Sequence, residues 1–516
     1  MPLLATSKSG KIEADRYAAL ASRRSFANIF QVFGRHMVLG FISSLMVALG
    51  SLQQVSPFVS KAAGSWWLGV AQPGSVPSTR FEFPAEVMVI VGLGIGALVW
   101  FDLIRKVRKH PNIPLRAFWY IGAAWVVPLA LAGPIFSKDI YSYAALGEMV
   151  SHHISPYKYG PNVLGGTSYL TPVDPIWGNT RSPYGPLFVG LAALITTVTF
   201  HHAFATMVGL RILALVSVVG IAIYVPRLAQ SLGFDKGIAF TLAILNPLTI
   251  YHLIASGHND SLMLVLLLAG LYYARNSRPV LGVILVTLAA MVKVPAEIGV
   301  LYIGWGWLGD GRPFKERVRP VITAFMISGI VMELVAKITG LGWGWILGLS
   351  TPGVVRSPAV PTTALASWMY GLSHLVGLQI RLGSFLTLTR GMGFAVSGLG
   401  ALYFLYRSRY YGVLKSIAYT FLVVTLCAPV IYPWYITWGL IMLAVTPSNK
   451  ITWGIVAVSI SGMVLGLPGG PPLIASLFYV LLIFTVVVLA GMRMKLISKD
   501  RFAPLISRYF GQIQSV

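Results

Sequence analysis

Acidic residues are scarce in this chain: 15 Asp and Glu stand against 39 Lys and Arg in 516 residues, and charged residues make up only 10% of it. A soluble globular domain carries about a quarter, so a water-facing surface of ordinary extent is excluded. Cysteine is nearly absent. Cys427 stands alone, which rules out an intrachain disulfide and a cysteine zinc site. No Walker loop and no GxGxxG opening a helix occurs, so nothing marks a nucleotide-binding domain. The polar and apolar alternation of a porin strand is missing too. What the chain has in abundance is apolar sequence: 56% of residues are hydrophobic and the mean hydropathy is +0.75. Because a bilayer core of about 30 Å takes about 20 apolar residues per helix, these runs describe an all-α integral membrane protein.

The formal net charge of +24 would suit nucleic acid if it were gathered in one patch, but it is divided among short segments between apolar runs. Arg105, Lys106, Arg108, Lys109 and Arg116 form one segment; Arg312, Lys315, Arg317 and Arg319 form a second. Arg407, Arg409 and Lys415 form a third, and Arg493, Lys495, Lys499 and Arg501 a fourth. Excess Lys and Arg mark cytoplasmic loops, so these segments define the inner side and no nucleic-acid partner is expected. Residues 1–36 carry Lys8, Lys11, Arg16, Arg23, Arg24 and Arg35 and lack the short h-region and small-residue cleavage site of a signal peptide. They read as a cytoplasmic segment, and residues 493–516 as a cytoplasmic tail.

Residues 37–492 between them read as one polytopic helical bundle. Its spans are Met37 to Phe58, Glu86 to Leu103, Phe118 to Phe136, Met207 to Pro226, Ile238 to Ser256, Leu262 to Ala274 and Pro279 to Met291. Ala296 to Leu308, Val321 to Ile338, Phe385 to Tyr406, Val413 to Val430, Trp434 to Val445, Ile451 to Leu467 and Leu473 to Ala490 follow. The total is about 14, within a range of about 12 to 15. Leu187 to Phe200 is apolar as well, but a crossing there would place Arg227 and Lys236 outside and invert every later basic loop. As an interfacial helix on the outer leaflet it keeps the charge pattern consistent.

Against this apolar background, residues 137–204 stand out as an external loop. Its first part, from Ser137 to Pro186, is dense in Asp, Glu, His, Arg and Tyr. Long connections are usually functional or disordered, and this one is too aromatic for disorder, so it reads as the reaction site. Three short polar turns fall on the same side: SGHND at Ser256 to Asp260, VKVP at Val292 to Pro295, and IYPWYITW at Ile431 to Trp438. A second external loop, 340–383, adds Trp343, Trp345, Arg356, Trp368, His374 and Arg381. Polar chemistry therefore gathers on one face.

The motifs DIYSYAALGEM, SPYKYGP, SPYGPL, ILNPLTIYHLIASGHND and MVKVP, in this order, resemble the polyprenyl-phosphomannose-dependent α-1,6-mannopyranosyltransferases that build the mannan backbone of lipomannan and lipoarabinomannan. These are GT-C integral membrane glycosyltransferases. The resemblance covers about Phe136 to Pro295, and the later spans more loosely. It implies the GT-C fold with external juxtamembrane helices, a polyprenyl monophosphomannose donor and a lipid-anchored mannan acceptor. It also implies a plasma-membrane enzyme whose site faces outside and in which Asp139 serves as base. A lipid-linked sugar phosphate brings its own leaving group, so such an enzyme needs a base for the acceptor hydroxyl and positive groups for the departing phosphate, and no cofactor. Arabinose or glucose as the sugar, and a transporter or flippase of the lipid-linked sugar, are the rival readings. A flippase would be expected to show internal repeats and helices broken at the midplane, and the sequence shows no convincing repeat.

Each candidate residue has an ordinary reading beside the functional one. Asp139 is a base or a helix cap, and Glu148 an assistant or a solvated helix residue. Lys293 and Arg211 lie toward the external ends of apolar spans, where they bind a lipid phosphate or snorkel to the interface. His258, Asn259 and Asp260 contact the donor or cap the following helix. Tyr141, Tyr184, Tyr432, Trp434 and Trp438 stack on sugar faces or belong to the interfacial aromatic belt. Arg181 contacts substrate or pairs with Asp174. His152 and His153 suggest a metal by composition alone, but neighbours on one helix point in different directions and no acidic motif follows them. No metal ligand is expected.

Overall fold

The computed structural model describes residues 26–51, 82–309, 311–357 and 360–465. No strand is present among them, in line with the all-α expectation. The chain divides into two compact units, one built on Met1–Val354, Ser397–Thr425 and Tyr432–Gly469, the other on Val355–Val396, Leu426–Ile431 and Gly470–Val516. The basic residues Lys8 to Arg24, the span Leu473 to Ala490 and the tail 493–516 lie outside the described residues.

In the first unit, α1 (Phe26–Gly50) and α2 (Glu82–Lys109) pack together. The Ser43 hydroxyl donates to the Gly92 carbonyl at 2.7 Å across their contact. Lys106, Arg108 and Lys109 in the last turn of α2 complement the negative end of its dipole. α3 (Leu115–Leu131) packs on α1, where the Trp125 indole donates to the His36 carbonyl at 2.9 Å. Then come α4 (Asp139–Ser151), α5 (Pro186–Val198) and α6 (Ala203–Ser231). α5 lies against α4 and α6. At 13 residues it is about 20 Å long, and its extent matches the expected interfacial segment. Leu194, Val198 and Phe200, the last 90% exposed, leave an apolar face uncovered by protein.

The expected span Ile238 to Ser256 is not one helix. α7 (Lys236–Ala243), capped by the Asp235 carboxylate accepting from the Ile238 N–H at 2.8 Å, stops after eight residues. A π-turn over Thr249–Ala255 follows, and α8 (Asp260–Arg275) leaves it at 108°. Gly257 sits at the corner with φ +73°, a left-handed backbone that favours glycine, and a Cβ there would lie 2.8 Å from Ile140. α9 (Pro279–Ala290) packs along α8, and a short 3-10 turn (Val294–Glu297) leads into α10 (Ile298–Gly306). Nine residues reach only about 14 Å, so α10 by itself does not cross a core of about 30 Å. α11 (Phe314–Thr339) returns along α10.

The second long loop, 340–383, contains a helix of its own, α12 (Pro361–Leu375), whose Thr362 hydroxyl donates to the Ala428 carbonyl at 3.3 Å. α13 (Leu382–Tyr406), α14 (Val413–Cys427), α15 (Pro433–Ala444) and α16 (Asn449–Leu465) complete the described chain. Five helices among the described residues are long and apolar enough to cross a membrane: α1, α2, α6, α11 and α13. The bent pair of π-turn and α8 would make a sixth, and α3, α5, α9, α14 and α15 are shorter apolar helices.

Two of the sequence motifs meet through main-chain hydrogen bonds. The Gly185 and Leu187 N–H groups of SPYGPL donate to the Val292 and Met291 carbonyls of MVKVP, each at 3.1 Å. This approach is so close that a Cβ on Gly185 would lie 2.1 Å from the Met291 oxygen. Gly185→Ala must therefore force the two segments apart, an overpacking that costs about 1–3 kcal/mol. The variant should show a lower Tm in detergent and a weakened site, read by thermal unfolding beside an activity measurement.

Candidate active site

Four segments converge: the start of α4, the corner before α8, the junction after α9, and the start of α15. Asp139 is the first residue of α4, and the residue in the cap position is Lys138, with no side-chain capping bond. The carboxylate is turned elsewhere. Its Oδ2 lies 3.5 Å from Nδ1 of His258, a fully buried ring, while the Asp139 side chain itself is 15% exposed. Burial lifts the Asp139 carboxyl to about 6, against the pull of the Lys293 ammonium and reinforced by the Asp260 carboxylate. Tyr143, one turn along α4 and so on the same face, brings its hydroxyl within 3.4 Å of both His258 Nδ1 and Asn259 Oδ1.

His258 is held flat. It stacks on Trp434 with centroids 3.8 Å apart and 19° between planes, and Tyr432 stacks on the other side of Trp434 at 4.4 Å and 6°. Asp260, fully buried, receives both of its hydrogen-bonding partners from later segments. Lys293 Nζ donates to Oδ1 and Oδ2 at 2.9 Å each, and Trp438 Nε1 donates to Oδ1 at 2.6 Å. The ammonium also faces the rings of Tyr435, Trp438 and Tyr184 at 4.4, 5.4 and 5.8 Å, where cation–π attraction supplements the ion pair. Tyr184 meets Tyr143 edge-on at 5.1 Å, which joins the Asp139 side of the cluster to the Lys293 side.

Comparison with known proteins gives this arrangement its setting. Residues 37–309 match the family described as α-(1→6)-mannopyranosyltransferase, N-terminal domain, and residues 362–496 match the MptB C-terminal domain. The chain belongs to the α-(1→6)-mannopyranosyltransferase family. It is 31% identical over 461 residues to α-(1→6)-mannopyranosyltransferase A of Mycobacterium tuberculosis, covering 84% of each chain. It is 28% identical over 475 residues to α-(1→6)-mannopyranosyltransferase B of Corynebacterium glutamicum, covering 84% of this chain and 76% of the relative. No solved structure matches.

Other expected site residues of this mannopyranosyltransferase-family chain lie outside the cluster. The buried Arg211 guanidinium donates to the Ala132 carbonyl, to the Leu129 carbonyl at 2.8 Å and to the Ala255 carbonyl at 3.3 Å. It thereby closes the carboxyl ends of α3 and the π-turn, where helix dipoles favour a cation. Arg181 is exposed and contributes its main-chain carbonyl, which accepts from the Thr351 hydroxyl at 2.8 Å. No ion pair joins it to Asp174 among the described residues; that carboxylate accepts from the Ile176 N–H at 3.1 Å. Tyr141, two residues from Asp139, is buried on a different face of α4.

The sequence reading passed over Tyr143 and Tyr435. Tyr143 had a usable signal, the i, i+4 spacing from Asp139, whereas Tyr435 needs the position of Lys293 to be noticed. Glu148, His152 and His201 also come together, 53 residues of sequence separating the first from the last. If Arg211 serves the main chain, Arg211→Ala leaves buried carbonyls without donors at about 1–3 kcal/mol each. Its Tm should fall sharply, while the KM for donor of the folded fraction should stay close to that of wild type.

Proposed function

We propose that this protein transfers mannose from polyprenyl monophosphomannose to a growing α-1,6-mannan on a lipid anchor, at the external face of the plasma membrane. In this reading about 14 spans of a GT-C fold place both termini in the cytoplasm, with α4 and α5 as juxtamembrane helices. One observation carries the assignment of roles: two carboxylates share the cluster in opposite environments. Asp260 is bonded twice to Lys293 and once to Trp438, whereas the Asp139 carboxylate lies 3.5 Å from a buried imidazole and is raised to about 6. Environments that push two carboxyls apart assign their work. Asp139 is the proton acceptor, and Asp260 holds the cation.

The reaction then needs one displacement. The acceptor hydroxyl attacks the anomeric carbon and its proton passes to Asp139 Oδ2. The bond from that carbon to the phosphate oxygen breaks, and the electron pair leaves with the polyprenyl phosphate. With a β-linked donor, the configuration inverts to α. Lys293 balances the charge on the departing phosphate, and His258 and Asn259 line the same corner. The half-buried rings of Tyr184 and Tyr432 provide stacking surfaces for sugar rings, while Trp434, expected to do the same, has its faces taken by His258 and Tyr432.

The broken helix at Gly257 is a device that transporters also use, so a flippase has to be tested by chemistry. Donor-dependent transfer by the purified protein in detergent makes a glycosidic bond, which a flippase cannot do. In that assay Asp139→Asn keeps shape but cannot take the proton. Because a positioned base contributes about 10²–10⁴-fold in rate, turnover should fall by that factor with donor binding retained. Near-normal turnover would remove Asp139 from the role. The wild-type rate should also be full above pH 6 and fall as pH drops through about 6, the value of the Asp139 carboxyl, since only the ionised form accepts a proton. The residual rate of Asp139→Asn should lack that limb.

Lys293→Met should raise the KM for donor far more than the KM for acceptor. It also strands the Asp260 carboxylate, at about 3–5 kcal/mol, so the double variant Lys293→Met/Asp260→Asn serves as the folding control. Recovered stability without recovered donor use supports the phosphate role, and recovery of both assigns Lys293 to structure.

A further inference from the structure

We propose that Glu148, His152 and His201 form a site for a divalent transition ion of the zinc type, which fastens the far end of the helix that carries Asp139. His152 Nε2 lies 3.0 Å from Glu148 Oε1, and His201 Nδ1 lies 2.8 Å from Glu148 Oε2. The donor atoms of all three residues fall within 4.8 Å of one another. In a tetrahedral zinc site with bonds of about 2.0–2.1 Å, donors stand about 3.3 Å apart, so small side-chain rotations convert this geometry into ligation. Two imidazoles and one carboxylate are a donor set for zinc and its neighbours. Hard cations such as Ca²⁺ and Mg²⁺ prefer oxygen alone.

A second observation also points to a cation. Both histidines stand at helix carboxyl ends that close in the same way. At the end of α4, the His153 and Ile154 N–H groups donate to the Val150 and Met149 carbonyls at 2.9 and 2.8 Å. At the end of α5, the Phe200 and His201 N–H groups donate to the Thr197 and Thr196 carbonyls, both at 3.0 Å. These are Schellman terminations, which normally use glycine at the left-handed position. Here His153 has φ +59°, Phe200 +53° and His201 +58°, and non-glycine residues hold such angles only where their surroundings fix them. The negative ends of two helix dipoles thus lie beside the Glu148 carboxylate, whose side chain is 10% exposed and which bridges the two imidazoles. The two histidine side chains, 56% and 42% exposed, leave the remaining coordination position to water.

Nine residues of helix separate Glu148 from Asp139, about 14 Å along the axis. The ion therefore takes no part in the transfer; it fixes α4 against α5 and the start of α6. Purified full-length protein, stripped with a chelator and equilibrated with Zn²⁺, should retain about one equivalent by mass spectrometry, and none of Ca²⁺ or Mg²⁺ at this site. Zn²⁺ should also raise its Tm. His152→Ala removes an exposed side chain and leaves the fold intact, and it should lower zinc affinity by at least the roughly 10–100-fold lost with a single supporting residue and abolish the Tm shift. Glu148→Gln should do the same. Equal zinc uptake by wild type and the His152→Ala/His201→Ala double variant would overturn the proposal and leave the three residues as a hydrogen-bonded clamp. A Co²⁺-substituted protein gives an independent reading: a visible ligand-field band in wild type that is absent from His152→Ala supports it, and the same spectrum in both refutes it.

Discussion

Lys293 and Asp260 face each other at 2.9 Å inside an apolar bundle, and the candidate site is arranged around keeping them together. Neither charge is tolerable alone in such surroundings, since removing one partner of a buried pair costs about 3–5 kcal/mol. Each comes from a place where a helix has stopped. Asp260 begins α8 just after the Gly257 corner, and Lys293 stands in extended backbone, φ −151°, between α9 and the next turn. Irregular backbone among apolar helices is acceptable only where it is enclosed by protein or lines a cavity. The broken helices and the ion pair are thus one feature.

The aromatic residues divide into two layers around that pair. Tyr435, Trp438 and Tyr184 surround the ammonium, and the stack of Tyr432, Trp434 and His258 fixes the imidazole that faces Asp139. The sequence supplied both layers from the single IYPWYITW segment plus Tyr184. Helical spacing explains why: Trp434 and Trp438 are four residues apart on α15, so they present neighbouring rings on one face, one to His258 and the other to Asp260. An aromatic belt at a membrane interface has no need of such pairing. The Trp438 N–H bond of 2.6 Å to a buried carboxylate shows that this residue has a polar partner within the protein.

Two helices lying outside the long apolar set position the candidate base. α4 carries Asp139 and Tyr143 inward at one end and Glu148 at the other, while α5 packs along it and exposes Leu194, Val198 and Phe200. The two helices thus form a layer that is polar within and apolar on its exposed side.

Composition and sequence pattern determined the class of this protein: 10% charged residues point to a membrane protein, and without the alternation of barrel strands a helical bundle is what satisfies the backbone in lipid. The motif order also placed Asp139, the GHND corner, Lys293 and the Tyr432 segment at one end of the molecule, because each falls between apolar runs on the same side. Individual partners were beyond its reach. Nothing in the sequence says that Arg211 serves the carbonyls of Leu129, Ala132 and Ala255, because a charge in an apolar run looks the same whether it meets a ligand or a helix end. The span Ile238 to Ser256 read as continuous because hydropathy does not register the stop after Ala243, although Pro247, which has no N–H to continue the helix, marks it in the sequence. His152 was weighed against His153, its neighbour in sequence, when its companion is His201. Periodicity fixes which residues share a helix face, but only tertiary structure brings together the ends of two helices, and the chemistry of this protein is concentrated at those ends.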